Sequence, residues 1–157
     1  DGLDSENFNI EGVVHTEDAW YFFNRGNANS GKNLVFTLHS KELANDSKIT
    51  YTELKLPEIK GIRTSFTDAI KVEDKFYFLA AAENTNSTYN DGEVLGSIIG
   101  CIDIETMKIT FTKKISDRHK FEGLTLKNNN KNELSFLLCE DKDNDHLQAD
   151  IYLLKIY

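Results

Sequence analysis

The chain reads as all-β. Its apolar runs are short and rich in β-branched and aromatic residues, and polar Gly/Asn/Lys clusters separate them. No stretch combines helical spacing with caps over a helix-length window. A third observation goes further: the runs recur as units, each opened by an acid, a small residue and an apolar strand.

In chain order, NIEGVV (9–14), AWYFFNR (19–25), NLVFTLHS (33–40) and ITYTELKL (49–56) are predicted as strands. Pro57, the one proline, follows the fourth and cannot donate to a ladder. Ser40 can cap at most one helical turn in SKELAND (40–46). Then come FTDAIKV (66–72), KFYFLAAAE (75–83), SIIGCIDI (97–104) and KITFTKKI (108–115). The last set is KFEGLTL (120–126), ELSFLLCED (133–141) and DIYLLKIY (150–157). NRGNANSGKN and KNNNKNE between them carry turn chemistry.

The units align on Glu11, Asp68 and Glu122, which are separated by 57 and 54 residues and followed by Gly12, Ala69 and Gly123. Four antiparallel strands per repeat of that length is the pattern of a β-propeller blade. We expect blades over about 8–57, 66–115 and 120–157, the last one incomplete. Three blades do not close a ring, so the chain reads as half of a six-bladed-type propeller. Either upstream blades are missing, or a homodimer completes the ring.

The residues 8–157 resemble the C-terminal half of an uncharacterised bacterial β-propeller family. That family is related to the phytase-like (esterase-like) and regucalcin-like six-bladed propellers. AAAE (80–83) with the later Tyr-x-Asp-Gly-x-x-Leu-Gly-Ser (89–97) is the most specific part of the likeness. The resemblance implies a six-bladed architecture. In the better-understood relatives, it further implies, acids at the inner strand ends hold a divalent cation in the channel.

At 157 residues and 17.9 kDa the chain suits one domain with a real core. Hydrophobic residues make up 39% and charged residues 28%, which excludes a disordered chain. No apolar run is long enough for a membrane helix. A net charge of −8 argues against phosphate-neutralising nucleic-acid binding and favours a cation or a basic or neutral small ligand. Cys101 and Cys139 sit in apolar runs without metal-ligand spacing, as two buried hydrophobes or one cross-strand disulfide. The N-terminus shows no signal-peptide pattern, and the compartment stays open between cytoplasm and periplasm.

Glu11, Asp68 and Glu122 are the candidate metal ligands, because like charges gathered at one channel mouth call for a counter-ion and hard oxygen ligands suit Ca²⁺ or another divalent cation. The competing reading has each acid accept backbone N–H groups at a blade's entry. Arg25, with Asn24, ends a second strand where a guanidinium can clamp an anionic group. Glu83, and Glu140 or Asp141, occupy comparable strand ends. Glu83 and His119 are the candidate proton-transfer groups, His15 a weaker one, and Asp91 in the polar loop 85–97 a candidate ligand contact.

Three look-alikes fail. GNANSGKN has a P-loop skeleton, but Asn33 stands where Ser/Thr is required and a strand follows. DKDNDH starts like an EF-hand loop but has His146 in place of Gly and Tyr152 in place of Glu. Asn45 and Asn86 head glycosylation sequons by pattern alone. No Gly-x-Ser-x-Gly is present, and Ser97 has no evident partner. The expected function is divalent-metal-dependent binding or hydrolysis of a small ester, lactone or phosphoester. The alternative is a non-catalytic scaffold that binds a protein or glycan.

Overall fold

The computed structural model describes residues 8–26, 31–43, 47–84, 92–142 and 149–157. It is all-β, and no described residue is helical. Ser40–Glu42 is a bend in which Ser40 Oγ accepts the Glu42 N–H at 3.2 Å, without becoming a helical turn.

The first sheet is a meander of β1 (Ile10–His15), β2 (Trp20–Asn24), β3 (Leu34–Leu38) and β4 (Ile49–Glu53). A two-stranded ribbon, β5 (Glu58–Ile59) and β6 (Ile62–Arg63), follows. Its turn, Lys60-Gly61, has φ of 52° and 80°. Both residues are left-handed, as a tight two-residue hairpin of type I′ requires. Sequence reasoning passed over this ribbon because each strand is only two residues long.

The second sheet runs β7 (Ser65–Val72), β8 (Lys75–Asn84), β9 (Glu93–Asp103) and β10 (Lys108–Ser116) in chain order. The third has β11 (Lys120–Asn130), β12 (Glu133–Asp141) and β13 (Ile151–Ile156). Every neighbouring pair is antiparallel. The opening strands lie together: β7 contacts both β1 and β11. A Cβ on Gly12 would stand 2.9 Å from the Ala69 nitrogen, so glycine is what lets β1 approach β7 this closely.

Two layers of side chains join the sheets. Val14, Phe23 and Val35 of the first sheet pack on Phe66, Ala69, Phe76, Phe78 and Ile98 of the second. Tyr77, Leu79, Ile99 and Cys101 from the other face of the second sheet pack on Phe121, Leu124, Phe136 and Leu138 of the third. These alternations are those expected of strands buried on both faces. Cys101 and Cys139 are free thiols, and burial pushes the Cys101 thiol up.

Polar side chains fasten each junction. Buried Asn33 accepts the Phe66 N–H at 3.1 Å and donates to the Thr64 carbonyl at 2.9 Å. One sheet later Ser97 Oγ accepts the Phe121 N–H at 3.2 Å and donates to the His119 carbonyl at 2.7 Å. The same job recurs because both residues precede the third strand's apolar stretch.

Gly100 faces the Phe78 ring, and a Cβ there would stand 2.2 Å from its Cζ. Phe78 is fully buried and pinned edge-on by Phe66 at 5.2 Å between ring centroids, so it has nowhere to go. Gly100→Ala is therefore expected to cost about 1–3 kcal/mol by overpacking. Chemical denaturation measures it, and Phe78→Leu in the same chain should recover part of the loss.

Candidate functional site

Each opening strand carries a β-bulge near its start. The register slips between Ile10 and Gly12, between Phe66 and Asp68, and between Phe121 and Gly123. The residues left unpaired are Glu11, Thr67 and Glu122. Thr67, not Asp68, therefore occupies the place equivalent to the two glutamates. Its hydroxyl donates to the Phe121 carbonyl at 2.6 Å.

Asp68 sits one position later and does a different job. Its Oδ1 accepts the Ala69 N–H and its Oδ2 the Leu124 N–H, both at 2.7 Å. It thus ties β7 to β11. Burial raises its pKa, against the pull of those two N–H groups.

Around Glu11 and Glu122 the three sheets assemble a row of charges. Asn9 Nδ2 donates to Glu11 Oε1 at 2.8 Å, and Arg25 Nη1 lies 3.8 Å from the same oxygen. Arg25 Nη2 donates to Glu83 Oε2 at 2.8 Å. Lys120 Nζ stands 3.0 Å from Glu83 Oε1, an ion pair off the hydrogen-bonding line, and 3.0 Å from Glu122 Oε1. Glu122 in turn shares a hydrogen bond with Asp141. The middle of the row is closed, with Glu83 and Lys120 side chains each 6% exposed, while Glu11 and Glu122 at its ends are 23% and 31% exposed.

The electrostatics follow from this placement. Burial works against the Lys120 ammonium, but the hydrogen bond to Glu122 and the negative charges of Glu83 and Glu122 outweigh it and raise its pKa. Burial raises the Glu122 pKa, Lys120 opposes the rise, and Asp141 adds to it. A carboxyl whose folded pKa lies above its unfolded one stabilises the fold below the unfolded value and loses that contribution as pH rises through the folded value. Stability should accordingly increase as pH is lowered from about 7 towards the ordinary carboxyl value of 4.5. Glu122→Gln should remove this residue's share of the increase and leave that of Asp68, as read by melting temperature against pH.

The remaining candidates fall into place around the row. Asn24 is fully buried, accepting the Asn9 N–H at 2.8 Å and donating to the Arg25 carbonyl, so it shapes the chain at the β1 entrance. His119 Nδ1 bonds Glu140 at 2.6 Å, and its Nε2 accepts from Arg118 Nε at 3.2 Å. Tyr152 donates to the other Glu140 oxygen at 2.8 Å. His15 stacks on Trp20 with ring centroids 4.2 Å apart. Asp91, and the sequon asparagines Asn45 and Asn86, lie outside the described residues. After Gly31-Lys32-Asn33 comes β3 instead of a helix, so no helix N-terminus is available for phosphate.

Register also corrects the reading of the strand ends. Phe23, Leu79 and Cys139 are equivalent, each pairing with the residue after the bulge. Counting onward, Arg25 matches Ala81 and Asp141, and Glu83 lies two residues further along the longer β8. Glu83 meets Arg25 because β8 is longer, not because their places are the same. Lys120 is the residue that sequence reasoning missed. Its signal was a lysine at the head of an apolar strand, next to Phe121, with Glu122 two residues away.

Among the described residues, no three Asp, Glu, His or Cys side chains come together as a metal-ligand set. A groove of about 560 Å³ lies at the β7–β8 and β11–β12 turns, lined by Asp74, Tyr77, Asn130 and Glu133 among others, and contains none of the candidate site residues. The chain matches the model of a family of unknown function, DUF6929, over residues 1–156. No curated protein and no solved structure matches it.

Proposed function

We propose that this chain, which belongs to the DUF6929 family of unknown function, is a run of β-propeller-type blades that works as a non-catalytic binding module, with the charged row at a channel mouth as its ligand surface. The consecutive meanders, with opening strands side by side, support the blade reading. One observation carries the binding reading: the two leading proton-transfer candidates, Glu83 and His119, are both held by partners. Glu83 is clamped between Arg25 and Lys120, and the His119 nitrogens are taken by Glu140 and Arg118. What the row presents outward is the pair of glutamates at its ends. Carboxylates of this kind accept hydrogen bonds from hydroxyl-rich ligands, as glycans are, or from the ammonium groups of a protein.

A screen of polysaccharides and basic peptides by calorimetry tests this. Binding should weaken at least tenfold in Glu11→Gln/Glu122→Gln, with the melting temperature little changed. No binding in any class would sink the reading.

The hydrolytic alternative draws on a separate observation, the contact between Glu122 and Asp141. Two adjoining carboxylates share a proton or attract a divalent cation, and a cation seated there would lower the pKa of its water for attack on an ester, lactone or phosphoester. Turnover that EDTA abolishes and Ca²⁺ or Mn²⁺ restores would establish it in place of the binding reading.

A further inference from the structure

The β7–β8 and β11–β12 hairpins end side by side, and they differ in length. β7 reaches its turn at Val72, four residues past Asp68, whereas β11 runs on to Asn130, seven past the equivalent Gly123. A second bulge in β11, where the register slips between Leu126 and Asn128, bends this overhang. The overhanging stretch is Asn128-Asn129-Asn130, a residue type that strands disfavour and that the sequence reads as turn. It is held across to the shorter hairpin nonetheless. Asn129 Nδ2 donates to Glu73 Oε1 at 2.9 Å, and Glu73 is left-handed there, with φ of 55°.

The overhang and the shorter turn enclose the groove of about 560 Å³, within the range of about 300–1,000 Å³ usual for small-molecule sites. Its floor is apolar, made by Val72, Tyr77, Leu134 and Ile156, the first two of them buried. Its rim is charged but balanced: Glu73, Asp74 and Glu133 stand against Lys75 and Lys131, with Lys155 reaching Glu133 at 3.0 Å. Lys75 Nζ likewise stands 3.2 Å from Asp74. The chain as a whole carries −8, so this neutrality is local. Among the described residues, none takes up the carboxamides of Asn130 and Asn132, which line the groove between those charges.

We infer that the groove binds a neutral saccharide, either a mono- or disaccharide or the end of a longer glycan. A carboxamide both donates and accepts, as a sugar's neighbouring hydroxyls do, and the two spare ones supply both halves of that pattern. The apolar floor takes the C–H face of the ring. A charged ligand would meet a rim whose charges already cancel. The groove stands apart from the charged row: Lys75 opens β8, while Glu83 lies near its other end. It needs neither the blade reading nor the row's ligand.

Saturation-transfer NMR on the chain as it stands tests this, with glucose, galactose, N-acetylglucosamine, maltose and cellobiose as probes. Transfer to at least one of them is expected, with shifts of the Glu73, Asn130 and Asn132 amides in an isotope-labelled sample. Asn130→Ala/Asn132→Ala, at two exposed positions, should weaken binding about tenfold and leave the melting temperature little changed. Glu11→Gln/Glu122→Gln should leave it intact, and glucuronate and glucosamine should bind no better than glucose. Absence of transfer from every sugar, amide shifts confined elsewhere, or binding indifferent to the asparagine variant overturns the inference. A preference for the charged sugars overturns the neutral class. Loss in Glu11→Gln/Glu122→Gln would move the saccharide to the charged row, overturning the groove while supporting the binding module.

Discussion

Lys120→Met is expected to lower stability by about 3–5 kcal/mol near neutral pH, because it strips the charge from a buried site and leaves two carboxylates facing each other. Lys120 is 5% exposed and stands 3.0 Å from both Glu83 and Glu122. Arg25 would still hold Glu83 from the other side, which limits the damage there. Glu122 would keep only Asp141 beside it, a second acid. The deficit should therefore shrink on acidification, since protonating the carboxyls removes the repulsion, and Lys120→Met/Glu122→Gln should recover part of it at neutral pH. Urea denaturation at about pH 7 and about pH 4.5 measures both effects. A loss under about 1 kcal/mol at neutral pH, the size seen for exposed pairs, would show that the row is solvated and contributes little.

That prediction turns on a residue the sequence did not single out, and the reason is physical. Strands were legible because side chains alternate with period two and because turn chemistry punctuates the runs, so all eleven runs read as strands became strands. A bulge leaves no such trace. It adds one residue to one strand, and only the partner's register reveals it. Aligning acids by type paired Asp68 with Glu11 and Glu122, while the bulges pair Thr67 with them. The one-residue slip turns Asp68 towards the Leu124 N–H. Burial of Lys120 was hidden in the same way, because its partners come from β8 and from its own strand and the fold alone brings them together. Arg25 and Glu83 were read as polar groups at strand ends and Glu122 as the acid opening its unit; what they meet there was beyond reach. Which apolar residues end up covered was equally hidden, since Val13 and Leu124 look alike in a sequence yet are 50% and 6% exposed.

Phe66→Ala should cost about 3–5 kcal/mol, as deletion of a fully buried aromatic does where neighbours relax only partly. Phe66 is 0% exposed and stands edge-on to Phe23 at 5.3 Å and to Phe78 at 5.2 Å, so it is the middle ring of a chain of three that crosses from the first sheet to the second. Its backbone N–H is also the one that Asn33 accepts, and the next residue, Thr67, hands its hydroxyl to the Phe121 carbonyl beside Lys120. Loss of the ring therefore loosens both junctions at the point where β7 lies between β1 and β11. Phe66→Leu separates the contributions: it keeps most of the volume and gives up the edge-to-face contacts, each worth about 0.5–1.5 kcal/mol, so it should fall well short of the alanine effect. Amide exchange gives the sharper test. If the junctions are coupled through β7, Phe66→Ala should speed exchange of the Phe66 and Phe121 amides together, the second of which is bonded to Ser97 in the neighbouring junction. Faster exchange at Phe66 with Phe121 unchanged would mean that each pair of sheets holds on its own, and the charged row would then owe its geometry to its ion pairs more than to the packing beneath it.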